Sequence, residues 1–147
     1  AHTVHRYHHD PRVTGYGIEA VDAMVAELGV VDEQIFKTLV VELDGKTLAV
    51  AVLPVPEKLS LKATAAALGA SSATIADPAK AQRSSGYVTG GISPLGQRRK
   101  LATVIDSSAL HWDRVYCSAG QRGLEIGLAP ADLVHLTEAV TADITAG

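Results

Sequence analysis

The chain has 147 residues, of which 47% are hydrophobic and 20% charged, and its formal net charge is −3. That length suits one domain with its own core, and no apolar run approaches the roughly 20 residues that a membrane span needs. The acidic balance argues against a domain that grips nucleic acid mainly through its own field. The single cysteine, Cys117, excludes an internal disulfide and points to a reducing cytoplasm.

Along the chain, His2, His5, His8 and His9 stand where a secretory leader would carry an apolar core, so none is expected. Residues 3–7 alternate weakly, as an opening strand does. Ile18, Val21, Met24, Val25 and Leu28 fall at helical spacing, and Gly29 follows where a left-handed cap is expected. Residues 35–43 and 47–53 are rich in valine and leucine around Asp44-Gly45, a hairpin signal. Pro54 and Pro56 end the second strand. Ser60 is a suitable N-cap for a short helix to Leu68, with Gly69 as its stop. Asp77-Pro78 opens another helix, closed by Gly86. Residues 90–96 hold three glycines and a proline and are read as a loop. Strands are expected at 102–105, 114–117 and 124–128, and a last helix from Pro130. Strands and helices mix without a regular βαβ repeat, which predicts an α+β fold in one domain over 1–147. The hairpin and the later strands are expected to share one curved sheet or barrel.

Lys37 is the first residue out of place. Alternation puts it on one face with Ile35, Leu39 and Val41, with Phe36, Thr38 and Val40 on the other. A lysine in an apolar strand either protects an edge or snorkels to a rim, where its ammonium can donate to a carbonyl, hydroxyl or phosphate. The loop Gly90-Gly91-Ile92-Ser93-Pro94-Leu95-Gly96 is the second. Glycines let a backbone approach a ligand closely and aim its N–H groups at a developing oxyanion. It lacks the lysine-serine/threonine ending of a P-loop and the βαβ setting of a dinucleotide fingerprint. Ser118 follows a strand but sits in no Gly-x-Ser-x-Gly elbow, so it reads as a turn residue before a nucleophile. The histidine spacing fits neither a zinc finger nor His-Glu-x-x-His, so no metal site is expected. Arg98-Arg99-Lys100 is the one concentrated basic run, and either a solvated turn or a phosphate contact fits it.

Taken together, Lys37-Thr38-Leu39, Ala76-Asp77-Pro78, Gln82-Arg83-Ser84 with Gly86-Tyr87, the loop from Gly90 to Gln97, and Ser118 with Arg122-Gly123-Leu124 occur in the order found in the YbaK/EbsC family. From about Tyr7 to the C-terminus the chain resembles these free-standing relatives of the editing domain of bacterial prolyl-tRNA synthetase. The resemblance implies a mixed, mostly antiparallel six- or seven-stranded sheet or barrel flanked by helices, with no metal and no cofactor. It implies hydrolysis of the ester joining a wrong amino acid to tRNA, chiefly cysteine on proline tRNA, in the cytoplasm. By position, Lys37 would bind the terminal adenosine or its phosphate and fix the ester, with the amides of Gly90 and Gly91 facing its carbonyl. Thr38 and Gly90 would position the aminoacyl group, Tyr7 and Tyr16 would line the pocket, and Ile92, Ser93, Ser118 and Glu125 would contact substrate. In YbaK-like enzymes the thiol of the substrate cysteine is thought to attack, so no protein nucleophile is required.

The chain departs from the family pattern in three places. The sequence begins almost at the first strand, so the family's N-terminal helix with its Thr-Pro-Ala start is expected to be missing from it; Ala119 follows Ser118 where a second glycine is usual, and Glu125 stands where aspartate is common. The implied partners are the acceptor end of mischarged tRNA and prolyl-tRNA synthetase. Two other readings fit the residues: a deacylase for alanine or another small amino acid, and a non-catalytic module that binds a nucleotide or aminoacyl end.

Overall fold

Local chemistry accounts for most element boundaries in the computed structural model, which describes residues 2–9, 16–88, 91–98 and 100–146. Strand β1 (His2–Arg6) is followed by α1 (Tyr16–Leu28), which stops at Gly29 with φ +67°. The hairpin is β2 (Phe36–Leu43) and β3 (Thr47–Pro54). Asp44 and Gly45 both take positive φ, as a tight hairpin turn of this hand requires. Ser60 caps α2 (Leu61–Ala67) by accepting from the Ala63 N–H at 3.1 Å. Strand β4 (Ala73–Ile75) precedes α3 (Pro78–Ser85), whose cap Gly86 is left-handed. Strands β5 (Ala102–Asp106), β6 (Val115–Gln121) and β7 (Leu124–Leu128), helix α4 (Pro130–Thr137) and strand β8 (Val140–Ala142) complete the chain.

The class is α+β, but the strands do not form one sheet. Five run in the order β4-β2-β3-β5-β8, parallel only at β3–β5 and β5–β8, and three form the antiparallel sheet β1-β7-β6. Within the described residues a single bridge, Ile35 to Tyr116, joins the two, so no barrel closes. Packing explains the gap. Phe36, Val50 and Val52 of one sheet meet Val115 and Leu128 of the other, with Leu133 of α4 buried among them. Side chains occupy the space in which a continuous ladder would run. On its opposite face β3 sends Ala51 and Leu53 toward Ala63 and Ala67 of α2. The strand is thus covered on both sides, which is why it reads as an unbroken apolar run. The sequence reading missed β4 and β8, three-residue strands at the two edges of the larger sheet.

Candidate functional site

Antiparallel pairing leaves one edge of β2 open, and a cavity of about 290 Å³ lies along it. Val55 donates to the Ile35 carbonyl at 2.8 Å, so the odd-numbered residues of β2 turn their peptide groups toward β3 and the even-numbered ones away. On that other side β4 pairs only with Val41 to Leu43, and Val40 accepts from the Ala76 N–H at 2.9 Å. Thr38 lies beyond the reach of β4, and its peptide group faces the cavity side. Phe36, Lys37, Thr38, Leu39 and Val40 all line the cavity in succession. Strict alternation of faces does not divide them, because an open edge contributes from both faces.

The other walls come from distant parts of the chain. Tyr16 and Ala20 enter from α1, Pro78 and Ala81 from α3, Ile92 from the glycine-rich loop, and Ser118 and Glu125 from the smaller sheet. Tyr7 joins them just beyond β1. Its main-chain N–H donates to the Gly123 carbonyl at 2.9 Å, and a Cβ on Gly123 would lie 2.8 Å from the Tyr7 carbonyl oxygen. That close approach is open only to glycine. Tyr16 lies under the Arg122 guanidinium, 4.4 Å from its ring centroid, and next to the His9 ring. His9 Nδ1 in turn meets Glu19 at 2.6 Å. These contacts fasten the start of α1 to the β6–β7 turn over the cavity.

Four polar groups converge on this mainly apolar wall. Lys37 Nζ donates to the carbonyls of Glu57 (2.7 Å) and Val55 (3.2 Å). An ammonium has three donors, so one remains for a ligand. Burial lowers the Lys37 pKa, and the Glu57 carboxylate partly offsets this. Thr38 Oγ1 is buried with no hydrogen-bond partner among the described residues. Ser118 and Glu125 are directly opposed across β6 and β7, so both side chains leave the same face. Ser118 Oγ accepts from the Gly120 N–H at 3.2 Å. Glu125 is 3% exposed. Burial pushes it up to about 8, so it is mainly protonated at neutral pH. Burial also pushes the Tyr7 phenol up, partly offset by a hydrogen bond to the Gly123 backbone, with Glu125 and Glu19 adding to the rise.

Of the residues singled out from sequence, Tyr7, Tyr16, Lys37, Thr38, Ile92, Ser118 and Glu125 meet at this cavity. Gly90 lies outside the described residues. Gly91 is not on the wall: its N–H donates to the Val88 carbonyl at 2.9 Å. A Cβ at Gly91 would lie 3.1 Å from backbone atoms of Gln121 and Arg122, so this glycine seats the loop against the β6–β7 turn. Ser93 is also off the wall; it is buried, and its hydroxyl accepts from the Leu95 N–H at 3.2 Å. No hydrogen bond links Ser118 to Lys37, whose recorded partners are the two carbonyls above. The basic run separates: Arg98 borders a second groove, Lys100 pairs with Glu138 at 2.6 Å, and Arg99 lies outside the described residues. Among the described residues no three His, Cys, Asp or Glu side chains gather as metal ligands, and no helix is long and apolar enough to cross a membrane. The apolar lining from Ala20, Val55, Ile75, Pro78 and Ala81 went unread in the sequence. Such residues carry no signal that separates a cavity wall from a core.

The family model for the aminoacyl-tRNA editing domain matches residues 17–136. A relative from Enterococcus faecalis, provisionally named Cys-tRNA(Pro)/Cys-tRNA(Cys) deacylase EbsC, is 32% identical over 126 residues, which cover 86% of this chain and 77% of the relative. A crystal structure provisionally described as a trans-editing enzyme for prolyl-tRNA synthetase superposes with a TM-score of 0.84 at 21% identity, covering 99% of this chain and 87% of the other. A hypothetical protein of known structure superposes with a TM-score of 0.83 at 24% identity, over 99% and 92% of the two chains. These two structures speak for the fold, and the family model and the relative for descent. The chain belongs to the aminoacyl-tRNA editing domain family.

Proposed function

We propose that the chain hydrolyses the ester between a misattached small amino acid, cysteine foremost, and the 3′-terminal adenosine of proline tRNA. The observation that carries this reading is the convergence of Lys37, Thr38, Ser118 and Glu125 on one cavity of about 290 Å³, large enough for a small aminoacyl group and part of a ribose. Membership of the editing family supports the reaction class. The name of the Enterococcus faecalis relative supports cysteine on tRNA, and that of the structural neighbour supports a role beside prolyl-tRNA synthetase.

The chemistry needs little more than position and charge. The third Lys37 donor binds the ester or the adenosine end, while the Thr38 hydroxyl and its outward peptide N–H reach the acyl group. An N–H aimed at the developing oxyanion in a dry site supplies much of the stabilisation an activated ester requires. Among the described residues no base makes a hydrogen bond to Ser118, so it contacts substrate rather than attacking it. With cysteine attached, the substrate thiolate attacks its own carbonyl carbon and the carbon–oxygen ester bond breaks. The tRNA hydroxyl leaves with the proton released by the thiol, and water then opens the thiolactone. Deacylation of Cys-tRNA(Pro) and Ala-tRNA(Pro), with Lys37→Ala as control, tests the reading. Cysteine release by the intact protein, falling at least tenfold in Lys37→Ala, is expected. Hydrolysis of neither ester would refute the enzyme, and full activity of Lys37→Ala would refute the site.

A further inference from the structure

A second groove, of about 480 Å³, runs along the outer side of α3 and is bordered by Leu48, Lys80, Arg83, Ser84 and Arg98. It is basic in a protein whose net charge is −3. Lys80 pairs with Glu42 at 3.0 Å, which accounts for one cation and the nearby acid. The guanidinium groups of Arg83 and Arg98 are exposed, and neither has a hydrogen bond or ion pair among the described residues. The position of Arg98 is fixed, because its main-chain N–H donates to the Ser85 carbonyl at 2.8 Å at the end of α3. Two unpaired planar cations are thus held beside one concave surface, an arrangement that suits phosphate oxygens.

The groove and the cavity share a wall. Val40, Ala76, Ala81 and Ile92 line the cavity, and they form one apolar cluster with Leu48, which lines the groove. Helix α3 faces the cavity with Pro78 and Ala81 and the groove with Lys80, Arg83 and Ser84. A helix with its side chains is about 10–12 Å across. Stacked nucleotides advance about 3.4 Å each along a strand, so that width corresponds to roughly three nucleotides.

We propose that this groove binds the RNA phosphodiester backbone a few nucleotides upstream of the esterified adenosine, with Arg83 and Arg98 as the phosphate contacts. The proposal rests on the reading of the cavity as an aminoacyl-tRNA site. It explains how an acidic protein holds an acidic substrate: the cations are gathered where the strand leaves the cavity. Such contacts carry affinity and salt dependence but no sequence information.

The test uses the full chain with an uncharged RNA hairpin ending in a single-stranded 3′ overhang, followed by fluorescence anisotropy between 50 and 200 mM salt. The double variant Arg83→Gln/Arg98→Gln is expected to bind about tenfold more weakly, with a salt slope shallower by about 1.5 for the two lost phosphate contacts. Its turnover of cysteinyl-adenosine, which has no phosphodiester, should stay within about twofold of the parent. On Cys-tRNA the loss should fall in KM. Unchanged affinity and slope in the double variant would overturn the proposal, as would displacement of the hairpin by a polyglutamate peptide at equal concentration. The two readings separate cleanly. Groove-dependent hairpin binding by a protein that cleaves no ester keeps the groove and removes the hydrolase; cleavage unaffected by the double variant does the reverse.

Discussion

A buried hydroxyl without a partner costs about 1–3 kcal/mol, and among the described residues Thr38 Oγ1 is such a group. The fold retains a destabilising atom at the point where the open edge of β2 meets the cavity. Thr38→Val should therefore hold or raise the melting temperature while lowering deacylation. A variant that melts several degrees lower would mean that the hydroxyl has a structural partner. Glu125 carries a similar cost in another form. Its carboxyl ionises near 8 in the folded chain against 4.5 for an unperturbed group. Between those values the native state binds the extra proton, so stability falls as pH rises, by up to about 1.4 kcal/mol per pH unit, and the loss levels off above about 8. Glu125→Gln removes this dependence. Urea midpoints at pH 5.5, 6.5 and 7.5 should show the variant gaining on the parent at each step, and parallel profiles would contradict a buried neutral carboxyl. His5 and Ser118 oppose Glu125 across the sheet and Tyr7 shares its cavity.

At the scale of elements, the site depends on contacts that hold separate pieces in register. The β6–β7 turn is the busiest of them: it receives Tyr7 through Gly123, the loop through Gly91, and α1 through Arg122. Gly123 has φ +85° as well as the 2.8 Å approach to the Tyr7 carbonyl, so Gly123→Ala combines backbone strain with a clash. A loss of roughly 2–4 kcal/mol is expected, together with weaker substrate binding as Tyr7 shifts. Denaturant titration and KM for Cys-tRNA check both; a neutral effect would show that the turn can relax without cost. Glycine and proline made this scale the most legible one in the sequence. Gly29, Asp44-Gly45, Gly69, Asp77-Pro78 and Gly86 all mark real boundaries, because the residue type at a turn answers to local backbone geometry. The edge strands β4 and β8 escaped because three residues give no periodicity to read.

At the scale of the whole molecule, the two sheets and four helices of the described residues, with a small apolar partition, set the cavity beside a cationic groove. Net charge alone pointed away from nucleic acid, and the sum hides the distribution: Arg83 and Arg98 share a surface although 15 positions separate them. Residue type and spacing were enough to determine the α+β class, the central hairpin and the anomaly of a lysine in an apolar strand. The family resemblance added Tyr7, Tyr16 and Glu125 to the residues to watch. Only the tertiary structure decided that the sheets stay separate, that Gly91 and Ser93 spend their polar groups on nearby backbone, and that Glu125 is buried. Turn chemistry and periodicity are local and survive in the sequence. Burial, an open strand edge and a shared wall depend on what the rest of the chain brings into contact.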